Sequence, residues 1–519
     1  MESFGTTLGD CIKEQGYTVY ELSKQVDLSR SMLQAAITGR KKLAVASFRQ
    51  VCNTAFFTST QLKRLCKAYY SEKYGPGTLK TFDYIESMLS GNLRKELKKD
   101  VKYSFIEPEL NKYYNNMEEI LSLIYTILND SETSSITSNF PFSQDEVNHV
   151  VYSFLLDNYK KAEKANADAA NIQIATDTGN STSANAGSIN LGKSINFSHY
   201  ISKSNPDYYN YNEIFFNSVF YAELGYMTYI YNESAATSLN CFMPYFILTD
   251  KYILQYDENI QNALLLDSEK IGDYYKQKLD GIKSECYTDI FLPSTPFEIM
   301  SNLITNDING VISIGFENMI CAQYLTTEMI NEIATPAIKS IPGIGQMLMN
   351  HYKYYIEENN HKYTQILTYE ALINFAERGY IDSYPRNYAK PMPKEMRIEY
   401  LRKFYNDKQV NDFRITMPGE FSSDYCFGLN IVEHYHTVIL FTTYDIEKPG
   451  AFHGNVIARS DNRILYNDIT NFMDYFLSSP KVYDSATSKV LLKNIIDRLE
   501  VDGGFEFTPP RTQNITSDL

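Results

Sequence analysis

Residues 18–39 read TVYELSKQVDLSRSMLQAAITG, and this stretch decides the N-terminal fold. Thr18 and Glu21 have the spacing of a capping box, in which the Thr18 hydroxyl accepts from the Glu21 amide and the Glu21 side chain reaches back to the cap. That predicts a helix from Thr18 to about Val26. Asp27 and Leu28 form a short turn, Ser29 caps a second helix over Arg30–Thr38, and Gly39 ends it. Leu22, Val26, Leu28, Leu33 and Ile37 sit where two such helices lock together, and the small Ser23, Ala35 and Ala36 permit close approach. Arg40, Lys41 and Lys42 follow at once. Two short helices joined by a tight turn, the second trailed by a basic cluster, have the layout of a helix-turn-helix.

The neighbouring sequence supplies more helices. Gly16 is a natural stop for a helix over Thr7–Gln15. Ser47 caps a fourth helix, Phe48–Ala55, and Thr58 or Ser59 caps a fifth that carries Leu62, Leu65, Cys66 and Tyr69 on one face. Thr18–Gly39 resembles the Cro-type, or XRE-family, helix-turn-helix of phage repressors and bacterial regulators, whose pattern is roughly T-Q-x-x-L-A-x-x-x-G-V-S-x-x-x-I-S-x-x-E-x-G. Thr18, Leu22, Ser29 and Gly39 match it. Ser23, Leu28 and Leu33 are mild changes, whereas Val19 replaces Gln, Asp27 replaces the turn Gly and Ile37 replaces Glu. The resemblance covers residues 6–72 and implies that the Arg30–Thr38 helix enters the major groove of operator DNA. It makes Arg30, Ser31, Gln34 and Thr38 candidates at the base edges, with Arg suited to guanine and Gln to adenine, and counts the capping Ser29 among the DNA-binding residues. Arg40, Lys41 and Lys42, with Thr18 and Tyr20 at the preceding helix start, are candidates for phosphate contact. The resemblance also implies a homodimer on an inverted repeat.

Charge argues the same way once it is divided. The 519 residues carry a formal charge of −15, which taken alone speaks against nucleic acid. Residues 1–80, however, hold 12 basic and 6 acidic side chains, a surplus of +6, and the remainder carries −21. A basic head on an acidic body hints at nucleic-acid contact by the head alone. The 43 tyrosines spread mostly through the acidic part, so AT-rich codon use explains them better than base stacking. Cys11, Cys52, Cys66, Cys241, Cys286, Cys321 and Cys426 form no C-x-x-C pair and read as buried thiols of a reducing compartment. The N-terminus shows no signal-peptide pattern, and the most apolar run, Ile214–Tyr231, is interrupted by Asn217 and Glu223. A cytoplasmic protein with no membrane contact is expected.

At roughly 150 residues per domain the chain holds several units. The expected fold class is α+β multidomain. Residues 1–75 form an all-α, five-helix domain, 79–163 a helical region, 164–205 a flexible Ala/Asn/Ser/Thr/Gly-rich linker, and 206–390 a mostly helical middle. Residues 391–505 form an α+β domain with a small antiparallel sheet, and 506–519 a tail. Its strand candidates are Phe413–Met417, Phe427–Glu433, Thr437–Thr443, Asn455–Ala458 and Arg463–Tyr466; Ile469–Leu477 and Ser488–Leu499 are the closing helices.

Three further patterns are weaker. Gly187–Ser194 matches the phosphate-loop formula, with Lys193 and Ser194 in the phosphate and magnesium roles and Leu264–Asp267 as a companion strand. It follows a polar stretch rather than a buried strand, so a linker coincidence is the plainer reading, and a nucleotide-binding switch or ATPase the alternative. Ile341–Gly345 resembles a phosphate-contacting hairpin but has Glu357 and Glu358 nearby and reads as an ordinary turn. His434 and His436 share a strand face beside Glu433 and Asp445 without a recognisable further ligand, and His351, His361 and His453 are isolated. No catalytic motif stands out, so no enzyme, cofactor or metal is expected. The expected function is a DNA-binding transcriptional regulator whose body dimerises and senses a small molecule or, through degenerate helical repeats, a peptide.

Overall fold

The computed structural model describes residues 3–54, 56–92, 103–176, 195–202, 211–231, 243–291, 312–320, 324–339, 362–382, 389–421, 425–444 and 456–501. Gly187–Ser194, Ile341–Gly345, His351, His361, His453, Cys241, Cys321, Asp445 and the 506–519 tail lie outside them. The chain divides into two compact units. Unit 1 comprises Met1–Gly91 with Pro293–Leu519, and unit 2 comprises Asn92–Leu292.

Unit 1 opens with six helices whose ends follow local chemistry. α1 (Phe4–Glu14) stops where Gly16 takes φ 71°, with the Gly16 amide donating to Lys13 O and the Tyr17 amide to Ile12 O. Only a residue without Cβ enters that left-handed turn cheaply. α2 (Val19–Gln25) starts on the Thr18–Glu21 capping box, and α3 (Arg30–Ile37) starts on Ser29, whose hydroxyl accepts from the Met32 amide. Gly39, at φ 70°, ends α3 in the same way as Gly16 ends α1. α4 (Val45–Cys52) begins at Ala44 with no side-chain cap, earlier than the Ser47 start expected from sequence. α5 (Ser59–Tyr74) is capped by Thr58 in a second capping box with Gln61, which settles the choice between Thr58 and Ser59. α6 (Pro76–Leu89) follows Gly75 with proline at its first position.

Phe48 at 0% exposure stacks on Tyr69 with ring centroids 3.9 Å apart, and Phe4 closes the cluster edge-on. α1 also lies tight against α3. A Cβ built on Gly5 would stand 2.5 Å from Ala36 O and 2.6 Å from Ile37 O, so backbone meets backbone there.

The unit 1 sheet uses β9 (Ile312–Glu317), β10 (Tyr363–Leu367), β11 (Val410–Ile415), β12 (Tyr425–Val432), β13 (Thr437–Tyr444) and β14 (Val456–Ser460) in the order β11-β10-β9-β12-β13-β14. β9, β10 and β11 pair in parallel, whereas β12, β13 and β14 pair antiparallel. The Arg463–Ser478 helix covers one face, where Phe476 meets Phe316 with centroids 5.0 Å apart. The opposite face carries Leu367, Phe413 and Ile415 beneath the Tyr369–Arg378, Lys394–Tyr405 and Ser485–Glu500 helices.

Unit 2 holds β1 (Tyr113–Tyr114), β2 (Ser135–Ser138), β3 (Asn196–Ser202), β4 (Met227–Tyr231), β5 (Tyr245–Thr249), β6 (Tyr252–Tyr256), β7 (Ala263–Asp267) and the two-residue β8 (Ile290–Phe291). Seven of these strands form a mixed sheet in the order β1-β7-β6-β5-β2-β3-β4, with β2, β3 and β4 parallel. Among the described residues its helices are Met117–Leu128, Asp145–Thr176, Tyr211–Glu223 and Ser268–Glu285. On β3, His199 is fully buried, accepts or donates to Ser138 Oγ at 2.8 Å through Nδ1, and is pushed by burial down to a pKa of about 3.

These sheets correct the expected fold class. The protein has two large mixed sheets in place of one small antiparallel sheet, and the 206–390 middle contributes β4 through β10 rather than helices alone. The reason is burial on both sides. β5 and β6 are buried at every position, so they show no alternation, and an unbroken apolar run carries no period that separates strand from helix. The stretch 164–205 contains helix up to Thr176 and the strand Asn196–Ser202. Arg463–Tyr466, expected as a strand, is the first turn of a helix capped by Asn462.

Candidate nucleic-acid interface

α2 and α3 pack through Leu22 and Leu33, both at 0% exposure, with Val26 and Ala36 beside them; Leu28 and Ile37 are half-buried. The turn between the helices does without a glycine. Val26 is extended at φ −108° and ψ 144°, and the Leu28 amide donates to Val26 O at 2.7 Å across Asp27. Asp27 is therefore not left-handed, and a side chain there is tolerated.

Burying Leu33 and Ala36 turns the other side of α3 outward. Thr18, Tyr20, Ser29, Arg30, Ser31, Gln34, Thr38, Arg40, Lys41 and Lys42 are all exposed. Arg30 and Gln34 lie four apart, one turn above one another on the same face, and Thr38 lies a further turn along. Arg40 and Lys41 leave the helix end through the Gly39 turn, with their amides donating to Ala35 O at 2.9 and 3.2 Å. Those bonds fix the backbone from which the two cations project.

Several hydroxyls are already committed. The Thr18 hydroxyl accepts from the Glu21 amide at 3.3 Å and donates to Glu21 Oε2 at 2.8 Å. The Thr18 amide, donating to Glu21 Oε2 at 2.7 Å, together with that hydroxyl holds the Glu21 carboxyl below its usual range. Ser29 Oγ lies 3.0 Å from Ser31 Oγ, and the Thr38 hydroxyl donates to Gln34 O at 2.9 Å. The strong outward donors are thus Arg30, Gln34, Arg40 and Lys41. The Tyr20 ring lies 4.4 Å beneath the Lys24 ammonium, which places Lys24 on this face although its spacing in the sequence did not mark it.

Four other basic side chains of the head are paired with carboxylates. Arg49 meets Asp474 at 2.7 Å, Arg64 meets Glu14 at 2.8 Å, and Lys13 lies 3.9 Å from Asp10. Lys42, counted with the phosphate candidates, lies 3.7 Å from Glu72. Among the described residues Arg30, Arg40 and Lys41 enter no ion pair. Lys24, Lys63, Lys67, Lys73 and Lys80 likewise enter no ion pair among the described residues, so what distinguishes Arg30, Arg40 and Lys41 is their place on and just after α3.

The paired histidines have a different setting from the one expected. His434 and His436 occupy the exposed turn between β12 and β13, not a strand face, and His436 has φ 52°. The turn is what the β12–β13 register requires, because Val432 pairs with Thr437 and leaves four residues to reverse the chain. Among the described residues no group of three or more His, Cys, Asp or Glu side chains gathers to hold a metal ion. No helix among them is long and apolar enough to cross a membrane.

No family model and no curated protein matches the chain. Among solved structures it is similar to a polyphosphate kinase from Porphyromonas gingivalis, at 8% identity and a TM-score of 0.21. The alignment covers 78% of this chain and 57% of that kinase, so the chain spans little more than half the kinase's length. A likeness at that TM-score transfers neither fold nor activity.

Proposed function

We propose that the protein is a cytoplasmic DNA-binding transcriptional regulator that recognises double-stranded operator DNA with α2, the turn and α3. The observation that carries this reading is the exposure of Arg30, Gln34, Arg40 and Lys41 on one helix-turn-helix, with Arg30, Arg40 and Lys41 outside every ion pair among the described residues. The remaining chain supplies dimerisation and effector input. α3 has eight residues, about 12 Å of helix, which fits the width of the major groove. Arg30 presents a fork that matches the two acceptors of guanine, and Gln34 presents a donor and an acceptor that match adenine. Arg40 and Lys41 neutralise phosphates and fix the register of the helix in the groove. Two copies then read half-sites about 34 Å apart, one turn of DNA.

The test is a mobility-shift assay at fixed salt on an operator selected from random duplexes. Gln34→Ala is expected to change which base is preferred at one position. Lys41→Ala is expected to weaken binding to all sequences alike. Binding unchanged in both variants would refute the assignment.

A further inference from the structure

The three parallel strands of unit 2 place a row of polar side chains in its core. Ser138 of β2 is in register with His199 of β3, and His199 with Thr228 of β4. All three are buried, at 0%, 0% and 3% exposure. His199 Nδ1 lies 2.8 Å from Ser138 Oγ, while His199 Nε2 and Thr228 Oγ1 have no hydrogen-bond partner. Whichever nitrogen carries the proton of the neutral ring, Nε2 is left as a bare acceptor or an unbonded donor.

Aromatic rings enclose this imidazole. Phe140 and Phe142, which follow β2, have centroids 4.6 and 4.9 Å from it. Phe197 of β3 and Tyr221 of the Tyr211–Glu223 helix lie 6.2 and 6.3 Å away. Tyr221 is the titratable side chain among these four. Its hydroxyl donates to Asn148 Oδ1 of the Asp145–Thr176 helix at 2.8 Å, and burial pushes its pKa well up, so it brings no charge to the ring. Tyr152 of that same helix stands edge-on to Tyr221, with centroids 5.9 Å apart. Among the described residues no carboxylate acts on His199. Burial lowers its pKa, and the Phe140 backbone opposes that more weakly.

We propose that His199 makes unit 2 acid-responsive: a second proton on this ring opens the β2–β3–β4 ladder and uncovers the aromatic cluster around it. The doubly protonated imidazole carries a full charge and an N–H at both nitrogens. Ser138 and the Phe140 backbone are the polar groups that act on the ring, and neither carries a charge to set against it. Aromatic faces attract a cation, but by less than it costs to take one out of water. The ladder is the place to yield, because β2 has only four residues and β4 is the last strand of the sheet. Opening returns the ring to water, where it takes its proton at the ordinary value of 6.5, against about 3 when buried. The stability that His199 contributes is therefore fully present above 6.5 and is lost as pH falls from there toward 3. Operator binding by α2 and α3 plays no part in this response.

The experiment is hydrogen–deuterium exchange of the full chain, read by mass spectrometry between about pH 8 and pH 4 and corrected for the intrinsic pH dependence of amide exchange. Peptides over Ser135–Ser138 and Asn196–Ser202 are expected to lose protection by about tenfold per pH unit between about pH 6 and pH 4, ahead of Thr437–Tyr444 in unit 1. His199→Phe keeps a ring and removes the ionisable nitrogens, and in it this loss is expected to disappear. The same loss in a folded His199→Phe variant, or a loss that begins in Thr437–Tyr444, would overturn the proposal. If His199→Phe does not fold, exchange at the His199 ring C2 hydrogen in the wild-type chain decides, since its rate follows protonation of that ring. Proton uptake that rises together with the loss of protection at Asn196–Ser202 is the expected result. A ring that titrates near 6.5 while Asn196–Ser202 stays protected would overturn it.

Discussion

The N-terminal helices present two faces that treat the same residue types in opposite ways. On the α2–α3 face, Arg30, Arg40 and Lys41 stand exposed outside any ion pair among the described residues. On the α4–α6 face, Arg49 is half-buried against Asp474 of the Arg463–Ser478 helix. There the Tyr70 hydroxyl donates to Asp474 O at 2.6 Å, Cys66 Sγ donates to Ser478 O at 3.2 Å, and Lys481 pairs with Glu86. Phe82 meets Phe472 and Tyr475, which carries the aromatic core of the head into the helix that covers the sheet. One face stays exposed and the other is consumed in assembling unit 1. A surplus of +6 says nothing about which cations are spent in ion pairs; the folded structure does.

The largest effect should come from the joint beneath the α2–α3 face. Gly5→Ala drives a Cβ into two backbone oxygens of α3 and is expected to cost about 1–3 kcal/mol in denaturant unfolding. Gly9→Ala meets only the Ile37 Cγ2 methyl group at 3.3 Å and should cost less than 1 kcal/mol, roughly what helix propensity returns. Equal costs would mean that α1 and α3 do not approach so closely.

Next comes a double dissociation between the faces. Tyr70→Phe keeps the ring and removes one of the two hydroxyl donors to Asp474 O, Ser478 Oγ at 2.9 Å being the other, costing about 0.5–1.5 kcal/mol of stability while operator affinity per folded molecule stays unchanged. Arg30→Ala should do the reverse, with stability within about 0.5 kcal/mol and operator affinity down roughly tenfold or more. If Tyr70→Phe weakens DNA binding as strongly as Arg30→Ala, the separation of faces is lost. A smaller change belongs to Lys41→Ala, which should lower the slope of log affinity against log salt by about 1. An unchanged slope would remove Lys41 from the phosphate contacts.

The smallest effect is a pH dependence at the start of α2. The Glu21 carboxyl is held low by the Thr18 amide and hydroxyl, so its stabilisation is fully present above the unfolded carboxyl value. It is lost as pH falls through the depressed folded value. In Glu21→Gln the capping box survives, because Gln serves at the same position, and this acid sensitivity should disappear from a melting-versus-pH series. Persistence of the same acid limb in the variant would assign it to another group.

How much of this was legible depends on whether the signal was local. Gly16, Thr18, Ser29, Gly39 and Thr58 act within a few residues of themselves, so their roles could be read directly and the helix ends they set agree to within a residue or two. α4 was placed late because Ala44 makes no side-chain bond and leaves no mark in the sequence. The middle strands were missed because β5 and β6 are buried on both faces and lose the alternation that identifies an exposed-edge strand. The Ser138–His199 pair had no motif to announce it. Its members lie 61 residues apart and meet only because β2 and β3 are neighbours.

The sequence by itself determined the caps, the turn and the apolar stripe of the helix-turn-helix, because each is a contact between residues a few positions apart. It also determined that basic charge is concentrated in the first 80 residues. Only the tertiary structure decided which of those charges stand outside ion pairs, since the partners of Arg49 and Arg64 lie 425 and 50 residues away. It also decided that the far C-terminal helix belongs to the same unit as the N-terminal helices. Burial and pairing are properties of neighbours in space, and a chain that returns to its own beginning after 400 residues hides them from any local reading.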